Sequence, residues 1–399
     1  MKKILFLILI LIYLTSCSTS NKLENQEQLS EKEIKKIAFI SDTHLQIDNN
    51  SDGVSYINSI NTELIKATLS DVENEGVDLL ILCGDNTNSG RKAQHEALKE
   101  LLDGVDKNID ILFLAGNHDL GEVDKQQIPL EYQDYGYGKA FSKDDKSLSY
   151  CLIYNDLMII FLDTNNEDKW EIGYPKFQEE TLTWLKNQLN YGFENDKSII
   201  CLGHYPLITR QGEDFKQQAE ILNLFKQYNV QLYISGHLHY HAVSEKEGIK
   251  EVVISQTTSY PLIYEIMEIK DEEYILYPKK VDVEKWASEN KINDEKLLSF
   301  NEYLDAQYKK KCEDIINSLI EDKDIADQDL QKAQDLFTKV MMYRSDGTLI
   351  EHIDEITSHD GYPIFQEISE GTIWKRWIPL VISEANKDTM GFVVKRAGK

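Results

Sequence analysis

The sequence predicts an α/β fold built on two sheets, followed by a mostly helical C-terminal region. Three observations carry that prediction. Short apolar runs alternate with stretches of helical periodicity in the first half of the chain, the pattern of parallel βαβ units. Later apolar runs succeed one another without helices between them, as antiparallel strands do. After Lys280 the apolar positions recur only at helical spacing. The 399 residues suit about two domains, and 41% hydrophobic with 28% charged content suits a packed core rather than a disordered chain.

The elements begin with a targeting segment. Lys2 and Lys3 precede an apolar stretch from Ile4 to Leu14, which ends in Leu14-Thr15-Ser16-Cys17. A charged start, a short apolar region and small residues at its end describe an export signal. The stretch is shorter than the roughly 20 residues a spanning helix needs. Leu-Thr-Ser-Cys also resembles a bacterial lipobox, which implies an exported protein on the outer face of the cell membrane, lipid-anchored at Cys17. A plain secretory signal is the alternative. Residues 1–17 are thus read as signal peptide, and 18–36, rich in Glu, Gln, Lys, Ser and Asn, as a polar tether. Cys83, Cys151, Cys201 and Cys312 match no zinc or disulfide spacing and read as small buried hydrophobes.

Residues 37–280 read as the α/β domain. Ile37–Ile40 is a buried strand, 56–75 a helix, Leu79–Cys83 a strand, 91–102 a helix and Ile111–Leu114 a third strand. Apolar runs at Tyr150–Tyr154 and Leu157–Leu162 around Asn155-Asp156 predict a hairpin. Helices follow at 176–190 and 215–228, with strands at Ser198–Leu202 and Leu232–Ser235. Runs at Glu251–Ser255, Leu262–Ile269 and Tyr274–Tyr277 read as antiparallel strands. Residues 281–399 read as an acidic helical domain, either shaping the substrate site or acting as a stabilising cap.

Five strings each follow an apolar run: Asp42-Thr43-His44, Gly84-Asp85, Gly116-Asn117-His118-Asp119, Gly203-His204 and Gly236-His237-Leu238-His239. They hold five of the nine histidines. Functional groups of open α/β sheets gather at the carboxyl ends of strands. Carboxylate, imidazole and amide oxygens together suit Mn, Fe or Zn better than Ca or Mg alone. Asp42 and His44 are spaced to meet one ion, Asp85 to bridge two, and His237 and His239 to serve different ions. The formal charge of −26 repels polyanions, which excludes a nucleic-acid polymer as partner. A small phosphate ester stays compatible, because bound cations reverse the local sign.

In this order the strings resemble the calcineurin-like metallophosphoesterases, over about residues 37–270. The resemblance implies a four-layer α/β/β/α sandwich and two divalent metal ions. By it, Asp42, His44, Asp85 and His239 hold the first ion, and Asp85, Asn117, His204 and His237 the second. His118 is implied as the residue that contacts the scissile phosphate and assists the leaving group. The segment from Gly84 to Gly90, with His95 and Leu98, is similar to the cyclic-nucleotide phosphodiesterase branch, although Asn86 stands where that branch is usually aliphatic. Residues 135–141 with Ser147-Leu148-Ser149-Tyr150 resemble exported members that carry a C-terminal helical domain.

Other residues have two readings. Asp119 either orients His118 or caps a helix start. Arg210 either meets an anionic substrate or sits in a solvated loop. His95 and His241 support the ligands or lie apart from them. Tyr135, Tyr137, Trp170 and Tyr260 either stack on a base or pack. The expected function is a lipid-anchored two-metal phosphodiesterase acting on a small phosphodiester such as a 3′,5′-cyclic nucleotide. The alternatives are a phosphomonoesterase or nucleotidase, an envelope phosphodiesterase, and a non-catalytic binding lipoprotein. No protein partner can be inferred.

Overall fold

The computed structural model describes residues 32–47, 58–165, 177–209, 217–320 and 325–396. The signal segment with Cys17, most of the tether, Trp170 and Arg210 lie outside the described residues.

The fold is a four-layer α/β/β/α sandwich with a mostly helical C-terminal region. The first sheet contains β1 (Lys36–Ile40), β2 (Leu79–Cys83), β3 (Asp110–Leu114), β11 (Ile263–Ile269), β12 (Glu273–Lys280) and β13 (Phe392–Lys395), in the order β13-β12-β11-β1-β2-β3. The second contains β4 (Ser142–Lys143), β5 (Tyr150–Tyr154), β6 (Leu157–Leu162), β7 (Ser198–Gly203), β8 (Leu232–Ser235), β9 (Ala242–Lys246) and β10 (Ile249–Val253), in the order β4-β5-β6-β7-β8-β10-β9. β1, β2 and β3 run parallel, as do β6, β7, β8 and β10. The expectation that the strand near 251–255 is antiparallel fails against β8. An unanticipated strand, β9, turns back through Glu247-Gly248, so β10 lies antiparallel to β9 and parallel to β8.

Strand faces explain the unbroken apolar runs. In β6, Leu157, Ile159 and Phe161 face the core between the sheets, whereas Met158, Ile160 and Leu162 lie under α3 (Glu179–Glu194) and α4 (Gln218–Gln227). A strand covered on both faces has no reason to alternate with polar residues. On the outer side of the first sheet, α1 (Asn61–Asn74) buries Leu64, Ile65, Leu69 and Val72 against that sheet, and α2 (Lys92–Asp103) buries Leu98 and Leu102.

The C-terminal region is stitched to this sandwich at both ends. Asp282 caps α5 (Val283–Glu289) by accepting the Lys285 N–H at 3.0 Å. Val283, Ala287, Phe300 and Leu304 join the main core. α6 (Phe300–Leu319) then crosses into a second core, where Tyr308, Cys312 and Ile316 meet α7 (Asp327–Ser345). α8 (Ile353–Ser358), α9 (Gly361–Ile368) and α10 (Trp377–Glu384) complete that core. The helical expectation for residues 281–399 fails at 392–395: β13 pairs antiparallel with β12 at the edge of the first sheet. Its alternating burial, with Phe392 and Val394 in and Val393 and Lys395 out, is a strand pattern too short to stand out in sequence. Among the described residues, no helix is long and apolar enough to cross a membrane.

One interior strand carries a buried acid that no hydrogen bond satisfies among the described residues. Glu265 of β11 is buried, neither carboxyl oxygen has a hydrogen-bond partner among the described residues, and His241 Nε2 is 4.0 Å away. Burial pushes its carboxyl well above the ordinary 4.5. The unfolded chain releases this proton near the ordinary value while the folded chain keeps it, so stability is lost as pH rises from there toward the folded-state value. Glu265→Gln, neutral at every pH, is expected to be more stable than the parent at pH 8 than at pH 5. The gap should widen by up to about 1.4 kcal/mol per pH unit. Thermal unfolding at the two pH values checks this, and equal Tm differences would refute it.

Candidate metal centre

The five strings leave the carboxyl ends of β1, β2, β3, β7 and β8, and the two sheets bring those ends together. Pairing continues past the strands: the Asp42 N–H donates to the Gly84 carbonyl at 2.9 Å and the His44 N–H to the Asp85 carbonyl at 2.9 Å. The chain turns sharply here. Asp42, His44, Asp85, His237 and His239 have φ of 52°, 42°, 51°, 68° and 59°. Left-handed backbone costs a non-glycine residue about 1–2 kcal/mol. Such strain collects where surrounding structure and function hold it.

Two glycines exist for close approach. A Cβ on Gly84 would lie 2.3 Å from His204 Nδ1, and one on Gly116 would lie 2.2 Å from Asp85 Oδ1. Any side chain there would displace a candidate ligand.

The side chains form two clusters, each with its ligand atoms within 4.8 Å of one another: Asp42, His44, Asp85 and His239, and Asp85, His204 and His237. Asp85 belongs to both. His44 Nε2 and His239 Nε2 lie 3.1 Å apart, His239 Nε2 is 3.2 Å from Asp42 Oδ1, and His204 Nε2 is 3.1 Å from Asp85 Oδ2. Asn117 Oδ1 is buried without a hydrogen-bond partner among the described residues. Converging imidazole nitrogens and an orphaned buried amide oxygen are what cation ligands look like before protons or hydrogen bonds satisfy them, so the donor set fits two divalent ions.

The electrostatics favour coordination at two of the imidazoles. Burial pushes the His44 imidazole down to about 3 and the His237 imidazole down to about 4, which leaves lone pairs free to coordinate. Burial also opposes a charge on His204, yet Asp85 beside it raises that imidazole to about 9. Burial would likewise raise the Asp85 carboxyl, but His204, His118 and His44 hold it well below the carboxylate range.

His118 is half-buried at the rim of the clusters, its ring 4.7 Å from that of His44. Its backbone N–H donates to Asp85 Oδ1 at 2.7 Å, and its Nδ1–H donates to the Asn88 carbonyl at 2.6 Å. Asp119 takes the helix-start role rather than orienting that ring. Its carboxylate accepts the N–H groups of Gly116 at 2.9 Å and Thr87 at 2.8 Å, and the Asn86 amide at 3.0 Å. Asn86 also donates to the Leu114 carbonyl at 2.9 Å, so its polarity ties two ligand-bearing loops together.

His95 packs behind this network, bonded to Tyr132 Oη at 2.6 Å and to the Asp119 carbonyl at 3.0 Å. Tyr135 and Tyr137 are buried, and the Tyr260 ring is stacked on Tyr308.

Sequence reasoning missed three supports. Ser41 Oγ donates to Asp42 Oδ2 at 2.6 Å. The Asn88 carbonyl fixes the His118 ring. Buried Glu251 accepts the N–H groups of Leu207 at 2.5 Å, Ile208 at 3.0 Å and Thr209 at 2.5 Å, which holds the loop after His204. An acid inside the apolar run at 249–255 was the one visible signal for Glu251.

Residues 35–241, with every one of these ligand positions, match the model of the calcineurin-like phosphoesterase family. The chain belongs to that family. Its members are metal-dependent hydrolases of phosphoric esters, in keeping with the acidic and imidazole clusters of this calcineurin-like domain. Residues 282–388 match the C-terminal domain of cyclic nucleotide phosphodiesterase, and residues 1–18 a prokaryotic membrane lipoprotein lipid attachment site.

Among similar proteins, a serine/threonine-protein phosphatase CPPED1 of Danio rerio is 27% identical over 44% of this chain and 58% of its own length. A probable cyclic nucleotide phosphodiesterase of Rhodococcus erythropolis is 24% identical over 55% of this chain and 70% of its own. The chain thus spans little more than half the length of the zebrafish relative. The crystal structure of a dimetal phosphatase from Danio rerio is similar with a TM-score of 0.47 and 13% identity, over 62% of this chain and 97% of that one.

Proposed function

We propose that this protein is a lipid-anchored two-metal phosphodiesterase on the outer face of the cell membrane, with a 3′,5′-cyclic nucleotide as its preferred substrate. The observation that carries the reading is that one buried carboxylate, Asp85, belongs to two ligand clusters at once. Asp42, His44, Asp85 and His239 would hold one ion, and Asp85, Asn117, His204 and His237 the other, the ions being Mn, Fe or Zn. Bound there, two divalent cations supply an activated water and a clamp on the phosphoryl oxygens.

The protein's own residues do the rest. Asp85 shares its charge between both positions while Oδ1 takes the His118 N–H. Nδ1–H is engaged by the Asn88 carbonyl, which assigns to Nε2 the role of protonating the departing alkoxide. The match of residues 282–388 supports the cyclic-nucleotide class, and that of residues 1–18 supports the anchor. Similarity to the zebrafish phosphatase favours a second reading, hydrolysis of a monoester.

Mn²⁺-reconstituted protein assayed on cyclic nucleotides, nucleoside monophosphates and glycerophosphodiesters decides between them. The highest kcat/KM is expected on a cyclic nucleotide. A monophosphate turned over faster than every diester would overturn the assignment in favour of a nucleotidase.

A further inference from the structure

The C-terminal helical unit grips the turn that delivers His237 and His239. That turn follows β8 and holds both histidines in left-handed backbone, a conformation it would not keep without outside contacts. From the sandwich side, the His237 N–H donates to Asp42 Oδ2 at 3.0 Å and the Gly236 N–H to the His204 carbonyl at 2.9 Å. The Tyr205 ring also lies 3.9 Å from that of His237, and the residues just after the turn, Tyr240 and His241, meet the helical unit. The guanidinium of Arg344, in α7, lies 3.8 Å from the centre of the Tyr240 ring. His241 is buried, with Nε2–H donating to the Thr389 carbonyl at 2.8 Å and its own N–H to the Ser345 carbonyl at 3.4 Å.

A second grip lies beside the first. Tyr260 stacks on Tyr308 of α6 with ring centres 4.7 Å apart, and Tyr308 shares a 2.7 Å hydrogen bond with Ser345. Tyr260 ends the segment whose Thr257 N–H donates to the Ser41 carbonyl at 3.0 Å and whose Thr258 hydroxyl donates to the Thr43 carbonyl at 3.0 Å. Those two carbonyls flank Asp42. The middle of α6 and the C-terminal end of α7 therefore touch both segments that bring Asp42, His44, His237 and His239 together.

We propose that the C-terminal unit is a positioning element of the metal centre, and that Arg344, seated over the Tyr240 ring, is its principal positioning residue. The unit sets the pitch of the histidine turn, so the ligand nitrogens meet a cation without reorganisation. Arg344 suits the role because a planar guanidinium covers a ring face, which a lysine ammonium does not. Groups that orient metal ligands are commonly worth 10–100-fold in metal affinity. The proposal rests on the two-cation reading above.

The test is Mn²⁺ titration of the full chain by calorimetry, with kcat and KM measured in parallel, for the parent, Arg344→Ala and Arg344→Lys. At least a ten-fold weaker Mn²⁺ affinity is expected for Arg344→Ala, with KM at saturating metal changed less than three-fold. Arg344→Lys should lie between parent and Arg344→Ala, and it stands in if the alanine variant does not fold. A folded variant that binds Mn²⁺ within two-fold of the parent overturns the positioning role. If the parent itself binds no Mn²⁺, the two-cation reading fails first.

Discussion

Asp85→Asn is expected to lower kcat by about 10³ or more, with loss of bound metal. The asparagine is nearly isosteric and keeps an oxygen to accept the His118 N–H that Oδ1 accepts in the parent at 2.7 Å. What it removes is the negative charge shared by both clusters. A bridging carboxylate offsets the mutual repulsion of two divalent ions, and loss of several kcal/mol of charge stabilisation corresponds to about a factor of ten for each 1.4 kcal/mol. The measurement is metal content per chain together with kcat on the best diester. Full activity with two equivalents of metal in this variant would refute the bridging assignment, and with it the reading of the site.

His118→Gln should show a different profile. Metal content is expected to stay at the parent level, because the backbone N–H that contacts Asp85 survives. Turnover of a substrate with a poor leaving group should fall about 10²–10⁴-fold, the usual worth of a positioned general acid. A nitrophenyl ester, whose leaving group needs no proton, should lose far less. Comparing the two substrates separates proton delivery from phosphate binding: an equal loss on both would mean that His118 only contacts the phosphoryl group. The Asn88 carbonyl makes this prediction specific, since it engages Nδ1 and so assigns the proton transfer to the other ring nitrogen.

Much of the fold was legible because its signals are local. β2 reads as Leu-Leu-Ile-Leu-Cys, wholly buried, and β6 as an apolar run of six residues, because each strand is covered on both faces. The candidate ligands were legible for a related reason, since chemistry-bearing residues come directly after such runs. The elements that escaped carry weak local signals. β9 has the pattern Ala-Val-Ser-Glu-Lys, in which only Val243 is buried, and β13 is four residues long. Glu251 was passed over because its importance lies in the backbone of a loop distant in sequence, and Ser41 because a hydroxyl next to an acid carries no signal until the fold turns it onto the carboxylate. The seam between the helical unit and the histidine turn joins Tyr240 to Arg344 and His241 to Thr389, pairs that no periodicity links.

By itself, the order of residues determined the strand runs, the helices that separate them, and which acids, amides and imidazoles stand at strand ends, because burial on both faces and the demands of metal coordination leave marks within a few neighbouring positions. Only the tertiary structure decided that His239 comes within 3.1 Å of His44 across a separation of 195 residues, that Asp85 is common to both clusters, and that the C-terminal helices meet the turn bearing two of the candidate ligands. Those outcomes depend on how two sheets and a helical unit pack against one another, and packing between distant segments is set by the summed fit of many side chains rather than by any motif.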